Sequence, residues 1–523
     1  MKKNLSKAVS IVLVLIMILS LTACTGGKSS SISTGSSAAS NTDGVKQEVL
    51  NVVTAAEPKA LDPMYGATDR TSSAVYNNIY ETLLKVDDNG EIVPNLASYK
   101  QIDDTTYEFE LQKGVKFHNG EELKASDVVF TMKKGAETPI TQYIWGSIDT
   151  NGFKIIDDYT VQVKLKAPCA PFLALLTCNT APILNEKYVA EAGEGSGTKP
   201  VGTGPYKFVE WKKGQSITLE RFEDYHGEKP QARKIVFRTI PEASNRTIEL
   251  ESGGCDIAYD IPVSDLNRVQ SSSNLKLLKQ TGNSIRYLGF NTAKTPFDKK
   301  EVRQALATAV DIKGIVASVL QGTGTVATNP ISPNLMFFDK DAQMRTYDEA
   351  KAKQLLADAG YPSGFKTTIW CDDKKENIDI ATIVQSQLAK IGVTAEIKSS
   401  EWGAYINAAY AGEVELYIMD WSSASPDPDI IFNSVFNSKL LGQGGNVSRL
   451  VDAKVDDLLQ RGRTSQDPKE RAKIYKELQQ YLYDIVPWVY LWVDDIYVGV
   501  NDKIDSMVVS PLNTHPLYKV KFK

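Results

Sequence analysis

Apolar and polar positions alternate in two rhythms along this chain, and the changes of rhythm divide it. Residues 49–54 read as a strand that enters a turn-rich loop at Ala56-Glu57-Pro58 and Leu61-Asp62-Pro63. Val75, Ile79, Leu83 and Leu84 then recur at helical spacing, which predicts a helix from Thr71 or Ser72 through Leu84. That leaves 64–71 as a polar loop at a strand's end. From Asp87 the period changes to two. Tyr107, Phe109 and Leu111, then Val161, Val163 and Leu165, predict half-buried antiparallel strands, with a helix start at Ala125-Ser126-Asp127 between them. This α+β module closes in the Gly-rich stretch 191–199.

Strand patterns return at 206–208, 217–219 and 235–237, with a helix over 243–252. After Asn283 an α/β series begins with a strand at 287–290. A helix over 298–310 follows, with an Asp298/Glu301 capping-box pattern, and a second helix capped by Thr346. Strands at 367–370, 394–397 and 416–419 alternate with helices at 378–391 and 402–411, the pattern of parallel βαβ crossovers. Two strand ends on one edge of that sheet carry Trp370-Cys371-Asp372-Asp373 and the loop from Trp421 to Asp429, broken by Pro426 and Pro428. Ligand crevices of open α/β sheets lie at such ends, so the Trp421 loop is one candidate ligand wall and the 64–71 loop a second. A helix over 468–485 and a strand at 487–491 follow.

The start of the chain breaks the globular pattern. Lys2, Lys3 and Lys7 precede an apolar run over 9–21 and Leu21-Thr22-Ala23-Cys24, the form of a secretory signal in residues 1–23. The apolar run is shorter than the roughly 20 residues that span a bilayer. Leu21-Thr22-Ala23-Cys24 resembles the lipobox of bacterial lipoproteins, which implies a lipidated Cys24 as the mature terminus. Residues 24–45 are Ser/Gly-rich and read as a tether. Loss of the three lysines takes the formal net charge of the 523-residue chain from −5 to about −8, with no basic stripe for nucleic acid. Cys169, Cys178, Cys255 and Cys371 form no disulfide framework and read as buried thiols, Cys169 and Cys178 being the one candidate pair.

The common catalytic signatures are missing: no Gly-x-Ser-x-Gly, no His-Glu-x-x-His, and no Gly-x-Gly-x-x-Gly after a strand. His118, His226 and His515 are isolated, and no metal or cofactor site is expected. The polar loops make Tyr65, Ala67, Thr68, Asp69, Trp370, Trp421, Ser422, Ser423, Ala424 and Asp427 candidates for ligand contact. Trp145 and Trp402 join them as aromatics beside loops, with an apolar face and a polar tip.

Several stretches together resemble the large extracellular solute-binding proteins of peptide-type ABC importers, the dipeptide, oligopeptide, glutathione and nickel binders. They are Leu61-Asp62-Pro63, Phe117-His118-Asn119-Gly120, Ala125 to Thr131, Gly202-Thr203-Gly204-Pro205-Tyr206, Tyr287 to Thr292 before Val302-Arg303-Gln304-Ala305-Leu306, and the Trp421 loop. The resemblance implies an α/β two-lobed periplasmic-binding-protein-like clamshell of class II (cluster C) with an extra α+β domain. Lobe I would comprise 46–84, 199–283 and 496–523, the extra domain 85–198, and lobe II 284–495, with hinges near 281–285 and 494–497. It also implies a lipid-anchored monomer at the outer face of the cytoplasmic membrane, with ABC permease subunits as partners and a peptide or peptide-like solute as ligand. A nickel chelate, an opine, a glycoside or a sensing role are the alternatives. In the di- and oligopeptide binders an Asp three residues after the loop's Trp pairs with the ligand's α-amino group, and here that position is Ala424. Either Asp427 substitutes from the next turn, or the solute lacks a conventional free amino terminus.

Overall fold

A computed structural model describes residues 49–523, apart from 66–68, 88–89, 443–444 and 513. Its centre is an 11-stranded mixed sheet. In chain order the strands are β1 (Val49–Thr54), β2 (Tyr206–Lys212), β3 (Ser216–Arg221), β4 (Lys234–Thr239), β5 (Ile257–Ala258), β6 (Leu275–Phe290), β7 (Thr325–Val326), β8 (Lys366–Asp372), β9 (Thr394–Ser400), β10 (Leu416–Ser422) and β11 (Trp488–Asn501). Their order across the sheet is β9-β8-β10-β6-β11-β5-β1-β4-β3-β2, with β7 also on β11.

Two long antiparallel strands, β6 and β11, join the halves. Over 275–281 β6 pairs with 495–501 of β11, next to β5 and β1; over 285–289 it pairs with 488–493, next to β10. The register slips between Thr281 and Ile285, and an irregularity of this kind bends and twists a strand locally. Beyond it, β8 pairs in parallel with both β9 and β10, as strands alternating with helices require.

Alternation along β10 separates two cores. Leu416 and Ile418 enter a cluster with Ile369, Val384 and Leu388, whereas Tyr417 and Met419 enter another with Tyr475, Leu478 and Trp488. The helix Pro468–Ile485 supplies much of the second core. Asp467 caps it by accepting from the Lys469 N–H at 2.9 Å, Pro468 occupies its first turn, and Ile474, Leu478, Leu482 and Ile485 are buried. Each such side chain contributes roughly 1.5–3 kcal/mol when fully buried.

The α+β module is a separate four-stranded antiparallel sheet, ordered Ala97–Asp103, Thr106–Leu111, Thr160–Lys164 and Lys154–Asp157. Tyr107, Phe109, Leu111, Val161 and Val163 form its buried face, with Val128 and Met132 of the helix Ala125–Glu137 in the same core. This core is continuous with that of β1.

Several elements differ from the sequence reading. The helix expected through Leu84 spans only Arg70–Tyr76. It stops because the carbonyls of Asn78 and Ile79 accept from the N–H groups of Tyr206 and Gly204, at 3.0 and 2.8 Å. A Cβ at Gly202 or Gly204 would lie 2.2 or 2.6 Å from the Ile79 carbonyl oxygen, so the Gly202-Thr203-Gly204 stretch needs glycine there. No side chain caps the helix Lys300–Ala309, so the Asp298/Glu301 box is absent, and Asp348 rather than Thr346 caps Glu349–Asp358. The strand expected at 416–419 continues to Ser422 because Ile285 and Ser284 of β6 pair with Trp421 and Ser422. Cys169, Cys178, Cys255 and Cys371 are all free and buried. The signal, Cys24 and the tether lie outside the described residues. No helix among the described residues is long and apolar enough to cross a membrane.

Candidate functional site

Where β6 and β11 pass between the halves, a cavity of about 590 Å³ opens. Ligand pockets are commonly about 300–1,000 Å³, so this one has room for a small organic solute. Arg70 and Asp260 line it from the β1/β5 half, and Ser422, Arg286, Lys375 and Glu376 from the other. The register slip contributes Gly282, Asn283 and Asp494. The ends of β8 and β10 open on the same edge, and both supply the wall: Glu376 lies in the first turn of the helix Lys375–Ala389 that follows β8, and Ser422 ends β10.

One guanidinium organises the polar part of this wall. Arg286 Nη1 donates to Asn377 Oδ1 at 2.9 Å and to Asp420 Oδ1 at 3.3 Å. Its Nη2 lies 3.5 Å from Glu376 and 4.0 Å from Asp494. Burial works against the charge of Arg286, but Asp420, Asp494 and Glu376 outweigh it and hold the group firmly protonated. Burial raises the pKa of Glu376; Arg286 opposes the shift, while Asp494 and Asp420 reinforce it. Other charges at the cavity are matched by neighbours: Asp495 pairs with Lys279 at 2.8 Å, and Asp379 with Lys375 at 2.5 Å.

Of the residues expected from sequence, Ser422 lines the cavity and most of the others have different work. Asp69 caps Arg70–Tyr76, accepting from the Ser72 N–H at 2.9 Å and the Ser72 hydroxyl at 2.6 Å. Ala67 and Thr68 lie outside the described residues, and for Tyr65 only the backbone, in the turn Pro63–Tyr65, is described. Trp145 is fully buried in the α+β module against Gly135, away from the cavity wall. Trp402 is 45 % exposed, edge-on to Tyr405 at 6.0 Å. Trp370 donates to its neighbour Thr368 at 2.9 Å and packs on the Tyr475 core, as does Trp421. Trp421 therefore faces away from the cavity, because period two along β10 puts it on the opposite face from Ser422.

The loop after Ser422 is a structural tie. Ser423 is buried and donates through Oγ to the Ser425 carbonyl at 2.9 Å. Asp427 is 2 % exposed and forms a two-pronged pair with Arg471, at 2.6 and 3.0 Å. Its Oδ1 also accepts from the Asp429 N–H, so three of the roughly four acceptor sites of this carboxylate are taken within the protein, and Asp427 is buried and absent from the cavity lining rather than standing in for the carboxylate missing at Ala424. Asp429 pairs in turn with Arg463 at 2.8 Å. Ala424 and Ile430 pack into the core of the α+β module, and Ala170 N–H donates to the Arg463 carbonyl at 2.8 Å. The loop thus ties the β10 side of the molecule to the α+β module.

Sequence reasoning reached Arg70 only as part of the 64–71 loop and passed over Asp260, Arg286, Glu376 and Asp494. A signal existed for two of them. Arg286 stands alone between Ile285 and Tyr287 in an apolar strand, and Asp494-Asp495 interrupts another. A charge inside a buried strand needs a partner, and these two strands are neighbours.

Residues 91–441 match the bacterial extracellular solute-binding proteins, family 5. The chain belongs to that family. It is 32% identical to the dipeptide-binding protein of Escherichia coli K12, covering 92% of this chain and 95% of that one. It is 31% identical to the oligopeptide-binding protein AppA of Bacillus subtilis, covering 98% and 97%. Among solved structures, DppA of Helicobacter pylori in complex with the peptide STSA superposes with a TM-score of 0.79 at 30% identity, over 91% of this chain and 99% of that one. The architecture of this solute-binding protein is a two-lobed clamshell, its lobes joined through β6 and β11. Its relatives are named as binding proteins rather than as enzymes.

Proposed function

We propose that this family 5 protein captures peptides or peptide-like solutes between its lobes and delivers them to the membrane subunits of an ABC importer. The observation that carries the reading is the cavity of about 590 Å³ where β6 and β11 pass between the halves, lined from both halves and carrying Arg286, Glu376 and Asp494. Relatives across nearly the whole chain are named for dipeptides and oligopeptides. Closing two walls around a solute shields it from water, and a solute favours closure only by binding the closed form more tightly than the open one. Lobe I is assigned 46–84, 199–283 and 496–523, the extra domain 85–198, and lobe II 284–495. The leader and the cysteine at 24 support export and a lipid anchor at the outer face of the cytoplasmic membrane, with the protein acting as a monomer.

The test is mass spectrometry of solute released by denaturing protein that was purified under native conditions after expression in peptide-rich medium. Short peptides, unchanged in mass from the supplied ones, are the expected result. A metal chelate or a sugar conjugate in their place overturns the peptide reading, and products of hydrolysis overturn the binding-only role. Replacement of Cys24 by Ser releases the protein from membranes into the medium if the anchor is as assigned.

A further inference from the structure

The charges at the cavity do not balance, and the imbalance sits at one place. Lys375 and Asp379 neutralise each other, as do Lys279 and Asp495, and Lys374 pairs with Asp372 at 3.2 Å. Around Arg286, however, a single guanidinium faces the carboxylates of Asp420, Glu376 and Asp494. Two negative charges are left over. Like charges gathered this closely repel: burial is the main cause that raises the pKa of Glu376, and Asp494 and Asp420 add to it against the pull of Arg286. Asp420 is tied on one side by Arg286 and on the other by the Ser284 hydroxyl at 3.3 Å. Glu376 is looser, and Asp494 is held through Oδ1, which accepts from the Trp492 Nε1–H at 2.7 Å, while its Oδ2 is left to the cavity side of Arg286. Their contacts to Arg286 are long, their side chains are 43 % and 29 % exposed, and both line the cavity.

Arg286 gives a second, independent indication. It is nine-tenths buried, lines the same cavity, and its Nε–H has no partner among the described residues. A buried donor without an acceptor is costly, and this nitrogen is sealed by its neighbours, so the site gains from an oxygen that a small shift of Arg286 brings within its reach. The wall therefore offers surplus carboxylate oxygens beside one unmet donor. A cationic nitrogen with a carbonyl oxygen close to it complements both.

We infer that this cleft selects solutes bearing a positive charge, and that Glu376 and Asp494 receive the cationic group across the face of Arg286. The inference rests on the peptide-binding reading and names the chemistry of that site. The group is an ammonium or guanidinium, supplied by a free amino terminus or by a lysine or arginine side chain. Glu376, in the first turn of its helix, keeps its carboxylate near the positive end of the helix dipole, which favours the ionised form that a cation needs.

The experiment uses the folded protein, freed of bound solute, and a defined random pool of peptides of two to five residues. The pool is presented once with free amino termini and once fully N-acetylated. Captured peptides are identified by mass spectrometry. If a side chain supplies the charge, peptides with Lys or Arg are enriched about tenfold in both pools. If the terminus supplies it, peptides are captured from the free pool alone. Either way the Glu376→Gln and Asp494→Asn variants, each verified as folded by its melting curve, lower capture about tenfold, the worth of one charge-assisted hydrogen bond. Capture of acetylated peptides without Lys or Arg as efficiently as the rest, or capture unaltered in both variants, overturns the inference and leaves the peptide reading standing. Capture of nothing from either pool removes both.

Discussion

His515 offers a quantitative test of how the cavity wall is supported. Its ring is fully buried, edge-on to Tyr259 at 4.6 Å, and Nδ1 accepts from the Ser510 N–H at 3.1 Å. A nitrogen that accepts a backbone hydrogen bond cannot also carry a proton, so protonation at Nδ1 breaks that bond. Burial, with Arg70 adding its positive charge, lowers the pKa from 6.5 to about 3. As pH falls below 6.5 the unfolded chain binds a proton at this residue and the folded chain does not. Stability is therefore lost on acidification across the window from 6.5 down to about 3, and is unaffected by this residue above it. At pH 5 the gap of one and a half units amounts to about 2 kcal/mol. His118 has the same sign: burial lowers its pKa to about 4, and its Nε2–H donates to the Gly204 carbonyl at 2.9 Å. The assay is urea unfolding at pH 7.5 and 5.0 for the native protein and for His515→Asn, which retains an acceptor near the Nδ1 position. The native protein is expected to lose about 2 kcal/mol more than the variant between the two pH values. Equal losses, or a His515 ring that titrates near 6.5 by NMR, would refute the argument.

Further expectations follow from the same contacts. Arg471→Met leaves Asp427 buried and unpaired and is expected to cost about 3–5 kcal/mol, while adding Asp427→Leu to it recovers most of the loss in urea unfolding. A single-variant loss below about 1 kcal/mol would mean that the pair is not shielded as described. Gly289→Ala places a methyl 2.2 Å from the Tyr417 ring and is expected to lower stability by about 1–3 kcal/mol; an unchanged melting curve contradicts that packing. The thiols of Cys169, Cys178, Cys255 and Cys371 are expected to resist alkylation in the folded protein and to react fully in denaturant, with burial pushing Cys178 up to about 12. Incomplete reaction in denaturant without reductant would reveal a disulfide. Trp402→Ala and Trp145→Phe are expected to alter solute affinity less than twofold, since neither residue lines the cavity. A tenfold change would return them to the site.

The local elements were largely legible from spacing. The helices Trp402–Ala411 and Pro468–Ile485 begin and end where their patterns do, and the parallel trio β8, β9 and β10 follows from strand–helix alternation. The polar loop after β10 was also visible, but the side on which each residue would stand was not. Tyr417 and Met419 look to one core and Leu416 and Ile418 to the other, and a strand apolar on both faces hides that distinction. Counting by twos from Met419 puts Trp421 on the face opposite Ser422, which is the residue at the cavity. Asp427 escaped for another reason. Its partner Arg471 is 44 positions away on a helix whose apolar stripe gives no hint of a buried guanidinium. Arg286, Glu376 and Asp494 likewise come from three separate segments that only the folded sheet brings together.

The paired irregularity in β6 and β11 has a consequence for how affinity is distributed. Two adjacent strands change register at one level, and Asp495 ties that level to Lys279 and to the Gly324 N–H at 2.9 Å. If only a fraction of molecules holds the closed arrangement before a solute arrives, every apparent dissociation constant is multiplied by the reciprocal of that fraction. A substitution at Lys279, which pairs with Asp495 without lining the cavity, is then expected to act as a gain control, weakening or strengthening all solutes by one common factor. A substitution at Glu376 or Ser422 instead reorders them. On that expectation selectivity and sensitivity answer to different residues, and each is open to change without the other.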